Sequence, residues 1–237
     1  MINSFLKLFN LRIIRESKSG NGLDYISAKE TISAAKADGL SVCDYVEKEW
    51  NQVGETQKVI DKMKDFGAFE RTNPTVCEIG AGTGRYMEKI LEVCEPTKYE
   101  SYETAQDWAE WLQGQYPIIS HPTKGSSLEH TNDSSIDLLH AHGVFVYIPF
   151  FDTARYFREI DRVTKNGTYI VFDCITEDCL DDKNLNSWIS SDYDYPRPVY
   201  ESFILNSFPQ QKYELLGTFF SKYGQGKSKY FVFKKLG

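Results

Sequence analysis

Four residues in the stretch Thr75–Tyr86 have the types and the spacing of a nucleotide-binding turn. Glu78 is followed at alternate positions by Gly80, Gly82 and Gly84, after a β-branched, apolar start. Glycines at this density let the backbone turn sharply and approach a ligand closely. The first N–H groups of a helix after such a turn remain free to bind polar or anionic atoms. The stretch therefore predicts a buried strand, a ligand-binding turn and a helix. A glycine turn without a ligand is the alternative.

The spacing distinguishes this turn from the dinucleotide fingerprint, G-x-G-x-x-G. The third glycine of that fingerprint would fall at Arg85, and the pattern here is Glu-x-Gly-x-Gly-x-Gly. A NAD-dependent oxidoreductase is therefore disfavoured.

A second acidic residue occupies the position of a ribose-binding group. Glu103 ends a predicted strand, Lys98–Glu103, and lies about twenty residues beyond the turn, where an acid at the next strand tip binds ribose hydroxyls. A carboxylate accepts two hydrogen bonds from a vicinal diol. We therefore expect Glu103 to bind ribose, with Glu100 as the alternative acid. An acid exposed to solvent before a helix would look the same in sequence.

The elements that position these residues alternate between helix and strand. Three helical stretches precede the glycine turn: Ala28–Asp38, Ser41 towards Trp50, and Glu55–Phe66. Beyond Glu103 we predict a helix at Ala105–Tyr116, strands at Pro117–Ser120 and Ile136–Gly143, a helix at Thr153–Val163, a turn at Asn166–Gly167 and a strand at Thr168–Cys174. Tyr213–Phe220 and Ser228–Lys234 alternate apolar and polar residues around a glycine-containing turn, which predicts an antiparallel hairpin.

The composition is that of an ordinary globular protein. The chain has 237 residues, 41% hydrophobic and 26% charged, enough for one sizeable α/β domain with an appended segment. Its net charge of −7 argues against a general nucleic-acid binder. The five cysteines form no short-spaced pairs, which favours reduced thiols in the cytosol. No run has the length of a transmembrane helix.

The glycine motif resembles the first motif of the class I S-adenosylmethionine-dependent methyltransferases. The later segment Phe157–Gly167 looks like another landmark of that class. Four strings resemble a bacterial subgroup often associated with surface polysaccharide synthesis: Gly39–Tyr45, Glu78–Tyr86, His140–Tyr147 and Ile175–Cys179. The implied fold is α/β: a Rossmann-like seven-stranded methyltransferase sheet with a C-terminal antiparallel hairpin and an N-terminal helical extension.

This resemblance implies the domain organisation and the cofactor site. Residues 1–70 would form the helical extension and cofactor cover, and residues 71–237 the methyltransferase domain, with an acceptor-pocket insertion around 176–210. The implied cofactor is S-adenosyl-L-methionine. Its expected contacts are Glu78, Gly80, Gly82, Gly84, Glu103, Ser126, Ser127 and His140. The two serines are assigned to adenine because Lys124 stands where this class usually has an aspartate.

The resemblance also places the tip of the strand Ile136–Gly143 beside the transferred methyl group. His142 is therefore the expected catalytic base for a hydroxyl acceptor, since histidine accepts protons near neutral pH. A structural histidine is the alternative. The expected acceptor-binding residues are Trp188, Tyr193, Tyr195 and Arg197, or else this segment is a surface loop. We predict no metal ligands.

The predicted function is S-adenosylmethionine-dependent O-methyl transfer to a sugar hydroxyl, or a terminal phosphate, of a bacterial glycan or its precursor. Two alternatives are a small-molecule or natural-product methyltransferase and a non-catalytic cofactor-binding regulator. The expected partner is a saccharide or other small molecule, not a nucleic acid. We expect a cytoplasmic protein. Residues 1–16, which are apolar with three cations, predict a helix that docks on protein or a weak anchor on the inner membrane face.

Overall fold

The computed structural model describes residues 26–190, 196–224 and 226–237. The helices within these ranges are α1 (Ala28–Ala37), α2 (Val42–Trp50), α3 (Glu55–Asp65), α4 (Arg85–Val93), α5 (Gln106–Gln115), α6 (Phe150–Val163), α7 (Asp182–Ile189) and α8 (Glu201–Ser207). The strands are β1 (Thr75–Ile79), β2 (Lys98–Tyr102), β3 (Ile119–His121), β4 (Ile136–Ala141), β5 (Thr164–Cys174), β6 (Tyr213–Tyr223) and β7 (Gly226–Lys235). A short 3-10 helix covers Glu177–Cys179. Residues 1–16, together with Tyr193 and Tyr195, lie outside the described ranges.

The seven strands form one sheet in the order β3-β2-β1-β4-β5-β7-β6. The pairs among β1 to β5 are parallel, and β7 pairs antiparallel with both β5 and β6. Because the carboxyl ends of the parallel strands meet at one edge, that edge collects the residues that follow each strand. The predicted Rossmann-like sheet with a C-terminal hairpin is confirmed.

The two faces of the sheet are covered by different helices. Successive side chains of β1 alternate, so Val76 packs with α3, α4 and α5, whereas Cys77 packs with α6 and α8. All residues of β4 are buried, as expected for a central strand covered on both faces. Glu78 lies opposite His140 of β4 and Ser101 of β2, on the face covered by α3 to α5.

The predicted N-terminal helices are present, and they pack beside the glycine turn. Ser27 caps α1, its side chain accepting a hydrogen bond from the Glu30 N–H. The Trp108 indole of α5 donates to the carbonyl of Ile26 at 2.7 Å. The Cys43 thiol of α2 lies 3.7 Å from the carbonyl oxygen of Thr83, within the glycine turn. Whether these helices cover a cofactor stays a prediction.

Several element bounds differ from the prediction, among them the starts of β5 and α6. Asn166 and Gly167, predicted as a turn, lie inside β5, which begins at Thr164. The pairing with β4 shifts register here, and Gly167 has φ of 83°, so the turn-like residues form an irregularity within the strand. Helix α6 begins at Phe150 rather than at Thr153, after Pro149 at its N-cap.

Candidate active site

The turn between β1 and α4 has the close-approach geometry that its glycines predict. Gly80, Gly82 and Gly84 have φ of 68°, 52° and 79°. A Cβ added at Gly80 or Gly84 would lie 2.5 Å from Val144 Cγ2 or Leu112 Cδ2, respectively. A Cβ at Gly82 would meet no heavy atom within 4 Å. Neighbouring side chains therefore occupy the space where a Cβ of Gly80 or Gly84 would lie, whereas Gly82 faces open space into which a ligand can fit.

Glu103, directly after β2, contacts this turn. Its Oε2 accepts a hydrogen bond from the Gly82 N–H at 2.7 Å, and its Oε1 accepts one from the Ala105 N–H at 2.8 Å. Burial is the largest influence on this carboxyl and raises its pKa, against the effect of these N–H groups. Oε2 has a second lone pair that can still accept a hydroxyl hydrogen, whereas Oε1 also accepts from the Thr104 hydroxyl at 3.4 Å. The structure thus brings together two predicted cofactor residues from different strands.

Glu78 and His140 lie beneath the turn, in the interior. Tyr99 of β2 joins them: its hydroxyl donates to Glu78 Oε2 at 2.8 Å and lies 3.0 Å from His140 Nε2. Glu78 is 2% exposed and His140 is fully buried. Burial raises the pKa of Glu78 to about 8 and lowers that of His140 to about 3. These two predicted cofactor contacts therefore pair with each other through Tyr99 and support the turn from below.

His142 follows the end of β4 and is enclosed by two tyrosines. The ring of Tyr86 stacks on its imidazole, with 3.7 Å between centroids and 14° between planes. The Tyr230 hydroxyl of β7 lies 3.2 Å from Nδ1. Nε2 is shielded from solvent and has no hydrogen-bond partner among the described residues. Burial, with His140 and Arg85 nearby, keeps the pKa of His142 well below its ordinary value, so the imidazole is neutral near pH 7.

Asp173 closes the same edge at the end of β5. Its Oδ1 accepts from the Gly143 N–H at 2.7 Å, which fixes the backbone immediately after His142. Burial raises the pKa of this carboxyl to about 6. The sequence places Asp173 at a strand end but does not show this contact.

The predicted adenine contacts lie on the loop between β3 and β4. Ser126 and Ser127 are both half-buried. A Cβ added at the preceding Gly125 would lie 3.1 Å from Thr104 Cγ2, so this loop passes beside the residue after Glu103. The loop and the ribose-binding candidate therefore share one end of the sheet.

The predicted acceptor residues are only partly described. Trp188 of α7 packs against the buried residues Val146, Ile175 and Cys179. The backbone N–H of Arg197 donates to the carbonyl of Val146 at 2.8 Å. Both residues thus attach the 176–210 segment to the chain just beyond His142. Whether they bind an acceptor stays a prediction.

The described residues contain neither a cluster of metal-binding side chains nor a helix able to span a membrane. Among the residues that the structure describes, no three His, Cys, Asp or Glu side chains are close enough together to hold a metal ion. Within the same ranges, no helix combines the length and the apolar character needed to cross a bilayer.

Sequence reasoning missed the three tyrosines of this site, Tyr86, Tyr99 and Tyr230. Tyr99 lies within the predicted strand Lys98–Glu103, and its large aromatic side chain there was a signal of burial. Tyr230 belongs to the C-terminal hairpin and lies 88 positions from His142 in sequence, and a local sequence pattern cannot predict such a contact.

The residues of the turn fit the cofactor that the resemblance implies. Gly84 caps α4 without a side-chain hydrogen bond, so the first N–H groups of this helix can bind a carboxylate such as that of a methionine moiety. Glu103 can accept ribose hydroxyls, and the open space at Gly82 leaves room between them. S-adenosylmethionine, when bound, would supply an electrophilic methyl group on a sulfonium.

Comparison with known proteins identifies the family to which this chain belongs. A family model described as "Methyltransferase domain" matches residues 50–214, which is more than half of the chain. No curated protein matches the sequence significantly.

Solved structures with the same fold are distant in sequence. An S-adenosylmethionine-dependent methyltransferase from Mesorhizobium loti has 13% identity and a TM-score of 0.56, and the match covers 73% of this chain and 97% of that one. One from Clostridium acetobutylicum has 12% identity and a TM-score of 0.57, with 88% and 100% covered. The [4+2]-cyclase SpnF has 13% identity and a TM-score of 0.58, with 79% and 83% covered. These likenesses concern the fold alone. The chain belongs to the methyltransferase domain family and has the fold of S-adenosylmethionine-dependent methyltransferases, as the sequence predicted.

Proposed function

We propose that this methyltransferase uses S-adenosylmethionine to methylate a hydroxyl oxygen of a sugar, in a bacterial glycan or its precursor. The observation that supports an oxygen acceptor is the unpartnered Nε2 of His142. A buried polar atom without a partner costs roughly 1–3 kcal/mol. A hydroxyl bound to Nε2 would remove that cost and would stand beside the turn that binds the donor.

The residues of the site would act mainly by positioning. Methyl transfer requires an acceptor lone pair in line with the methyl carbon, and holding two reactants in such a geometry lowers the barrier greatly. The turn at Gly82 and the Glu103 carboxylate would fix the donor. His142, a neutral imidazole, would accept the hydroxyl proton at Nε2 as the acceptor oxygen bonds to the methyl carbon and the carbon–sulfur bond of the donor breaks, with its electron pair going to sulfur.

A glycan acceptor is supported by the sequence strings named above and by the aromatic segment around 176–210. Trp188, Tyr193 and Tyr195 are aromatic residues, a type whose ring faces suit a sugar. Arg197 suits a charged group on the same acceptor. A terminal phosphate is the second candidate: it is already anionic, so it would depend on Arg197 rather than on His142. The alternatives of another small-molecule acceptor and of a non-catalytic regulator are tested by the same experiments.

The donor site is tested by calorimetric titration with S-adenosylmethionine and S-adenosylhomocysteine. Gly82→Ala is expected to weaken binding at least tenfold, because the new Cβ projects into the open space. Gly167→Ala is the matched control, since Gly167 also has positive φ and no atom within 4 Å of an added Cβ. Gly167 lies near the beginning of β5, whereas the glycine turn follows the end of β1. Equal binding by the wild type and both variants would show that the donor does not approach Gly82.

The acceptor is then sought with radiolabelled donor and a panel of saccharides, sugar phosphates and unrelated small molecules. Transfer to a saccharide hydroxyl that His142→Asn lowers by about 100-fold or more, within the usual range for a general base, is the expected result. Transfer to a sugar phosphate that is unaffected by His142→Asn would favour the phosphate candidate. Donor binding without transfer to any acceptor would favour the regulator.

A further inference from the structure

Strand β7 of the hairpin contributes a tyrosine that contacts His142, the candidate base, although β5 separates β7 from β4 in the sheet. Tyr230 pairs with Asp173 of β5, yet its hydroxyl lies 3.2 Å from Nδ1 of His142 on β4. Its ring stacks on Phe219 of β6, with 4.7 Å between centroids and 4° between planes. Tyr230 is 2% exposed, so this hydroxyl is held at one place.

A second hydroxyl continues the contact. The Tyr86 hydroxyl lies 3.3 Å from that of Tyr230, and the Tyr86 ring covers one face of the imidazole. His142 is thus fixed at its face by one tyrosine and at its Nδ1 edge by the other. Nε2 is the nitrogen that has no partner among the described residues.

Two proton arrangements are compatible with these distances. In the first, Nδ1–H donates to the Tyr230 oxygen, and the Tyr230 O–H donates to the Tyr86 oxygen. In the second, the Tyr86 O–H donates to Tyr230, and the Tyr230 O–H donates to Nδ1, which places the ring proton on Nε2. Each arrangement leaves one donor without an acceptor among the described residues: the Tyr86 O–H in the first and the Nε2–H in the second. The Tyr86 side chain is 9% exposed and its hydroxyl hydrogen can rotate towards a water, whereas Nε2 is shielded from solvent and its hydrogen is fixed in the ring. We therefore prefer the first arrangement.

We propose that Tyr230 is a positioning residue that holds the His142 imidazole with its proton on Nδ1, leaving Nε2 bare towards the acceptor. This inference rests on the proposed role of His142 as a base. Only the bare nitrogen can accept a proton from a hydroxyl, and the hydrogen bond that the other nitrogen makes selects which nitrogen is bare. The hairpin thereby takes part in setting the reactivity of the β4 tip.

The tautomer is measured directly by NMR of the full chain labelled with ¹⁵N-histidine. The chain has four histidines, and the signals of His142 are those that His142→Asn removes. The wild type is expected to show a protonated Nδ1 and an unprotonated Nε2. A protonated Nε2 in the wild type would overturn the proposal.

Tyr230→Phe tests the residue itself. Removal of the hydroxyl is expected to give a mixture of the two tautomers and to lower kcat about tenfold, the scale of one hydrogen bond, with donor affinity unchanged. Tyr169→Phe is the control, because it removes a tyrosine hydroxyl from β5 that contacts Lys234 rather than His142; it should leave the His142 signals in place. An unchanged tautomer in Tyr230→Phe would refute the positioning role.

Circular dichroism and thermal unfolding establish that each variant is folded. Should Tyr230→Phe not fold, Tyr86→Phe tests the same arrangement, since it removes the oxygen that accepts the Tyr230 proton and is expected to shift the tautomer towards Nε2–H. An unchanged tautomer in Tyr86→Phe would then count against the proposal. The tautomer decides this inference, whereas the acceptor panel decides the proposed function: a protonated Nδ1 with no acceptor methylated would contradict only the latter.

Discussion

The buried carboxyl of Glu78 predicts a stability that falls as pH rises through neutrality. Its pKa is raised to about 8 by burial, above the ordinary value of 4.5 that an unfolded chain would show. Between these two values the folded protein binds a proton that the unfolded chain has released. The free energy of unfolding therefore decreases with increasing pH in this window.

The interval from pH 6.5 to 8 contains most of this effect. The buried histidines His140 and His142, whose pKa values are lowered by burial, oppose it weakly there, because the unfolded chain still releases histidine protons above pH 6.5. At about 1.36 kcal/mol per pH unit, Glu78 alone lowers the free energy of unfolding by about 2 kcal/mol over this interval. Glu78→Gln removes the ionisation and keeps an oxygen that accepts from Tyr99, so its profile should lack this decline, and the difference in slope from the wild type reports Glu78.

The assay is urea unfolding followed by tryptophan fluorescence at half-unit steps of pH, without cofactor. Tyr99→Phe serves as the second variant: it removes the hydrogen bond that lowers the pKa of Glu78, so the decline should extend to higher pH. An equal slope in wild type and Glu78→Gln would refute the assignment of this pH dependence to Glu78.

Two further predictions concern the same end of the sheet. Gly84→Ala should lower the free energy of unfolding by about 3 kcal/mol, from positive φ and overpacking against Leu112. In chemical denaturation, Gly84→Ala/Leu112→Ala should lose less than the sum of the single variants, and full additivity would contradict the clash. Glu103→Gln should weaken S-adenosylmethionine binding about tenfold or more by calorimetry, since hydrogen bonds to charged groups contribute about 1.5–3 kcal/mol. Glu110→Gln on the exposed face of α5 is the control, and equal losses in both would exclude a specific role for Glu103.

The sequence by itself predicted the class of the fold and the glycine turn that follows β1. Strand and helix periodicities follow from which faces are buried, and the Glu-x-Gly-x-Gly-x-Gly spacing carries its own backbone requirement, since φ of 52° at Gly82 disfavours residues with a side chain. The alternating hairpin at the C-terminus was predictable for the same reason. The separate turn predicted at Asn166–Gly167 was wrong because β4 pairs with both Thr164 and Tyr169, so these residues form an irregularity inside β5.

Tertiary structure alone decided what surrounds each candidate residue. Glu78 reads as a ligand-facing acid in sequence, yet the register of β1 between β2 and β4 places it against Tyr99 and His140, out of contact with solvent. His142 reads as an available base, yet Tyr86 covers it and Tyr230 fixes its Nδ1. Such contacts join residues more than 20 positions apart, and they depend on which strands become neighbours. A local pattern encodes which face of a strand is buried, but only the assembled sheet determines which side chains meet there.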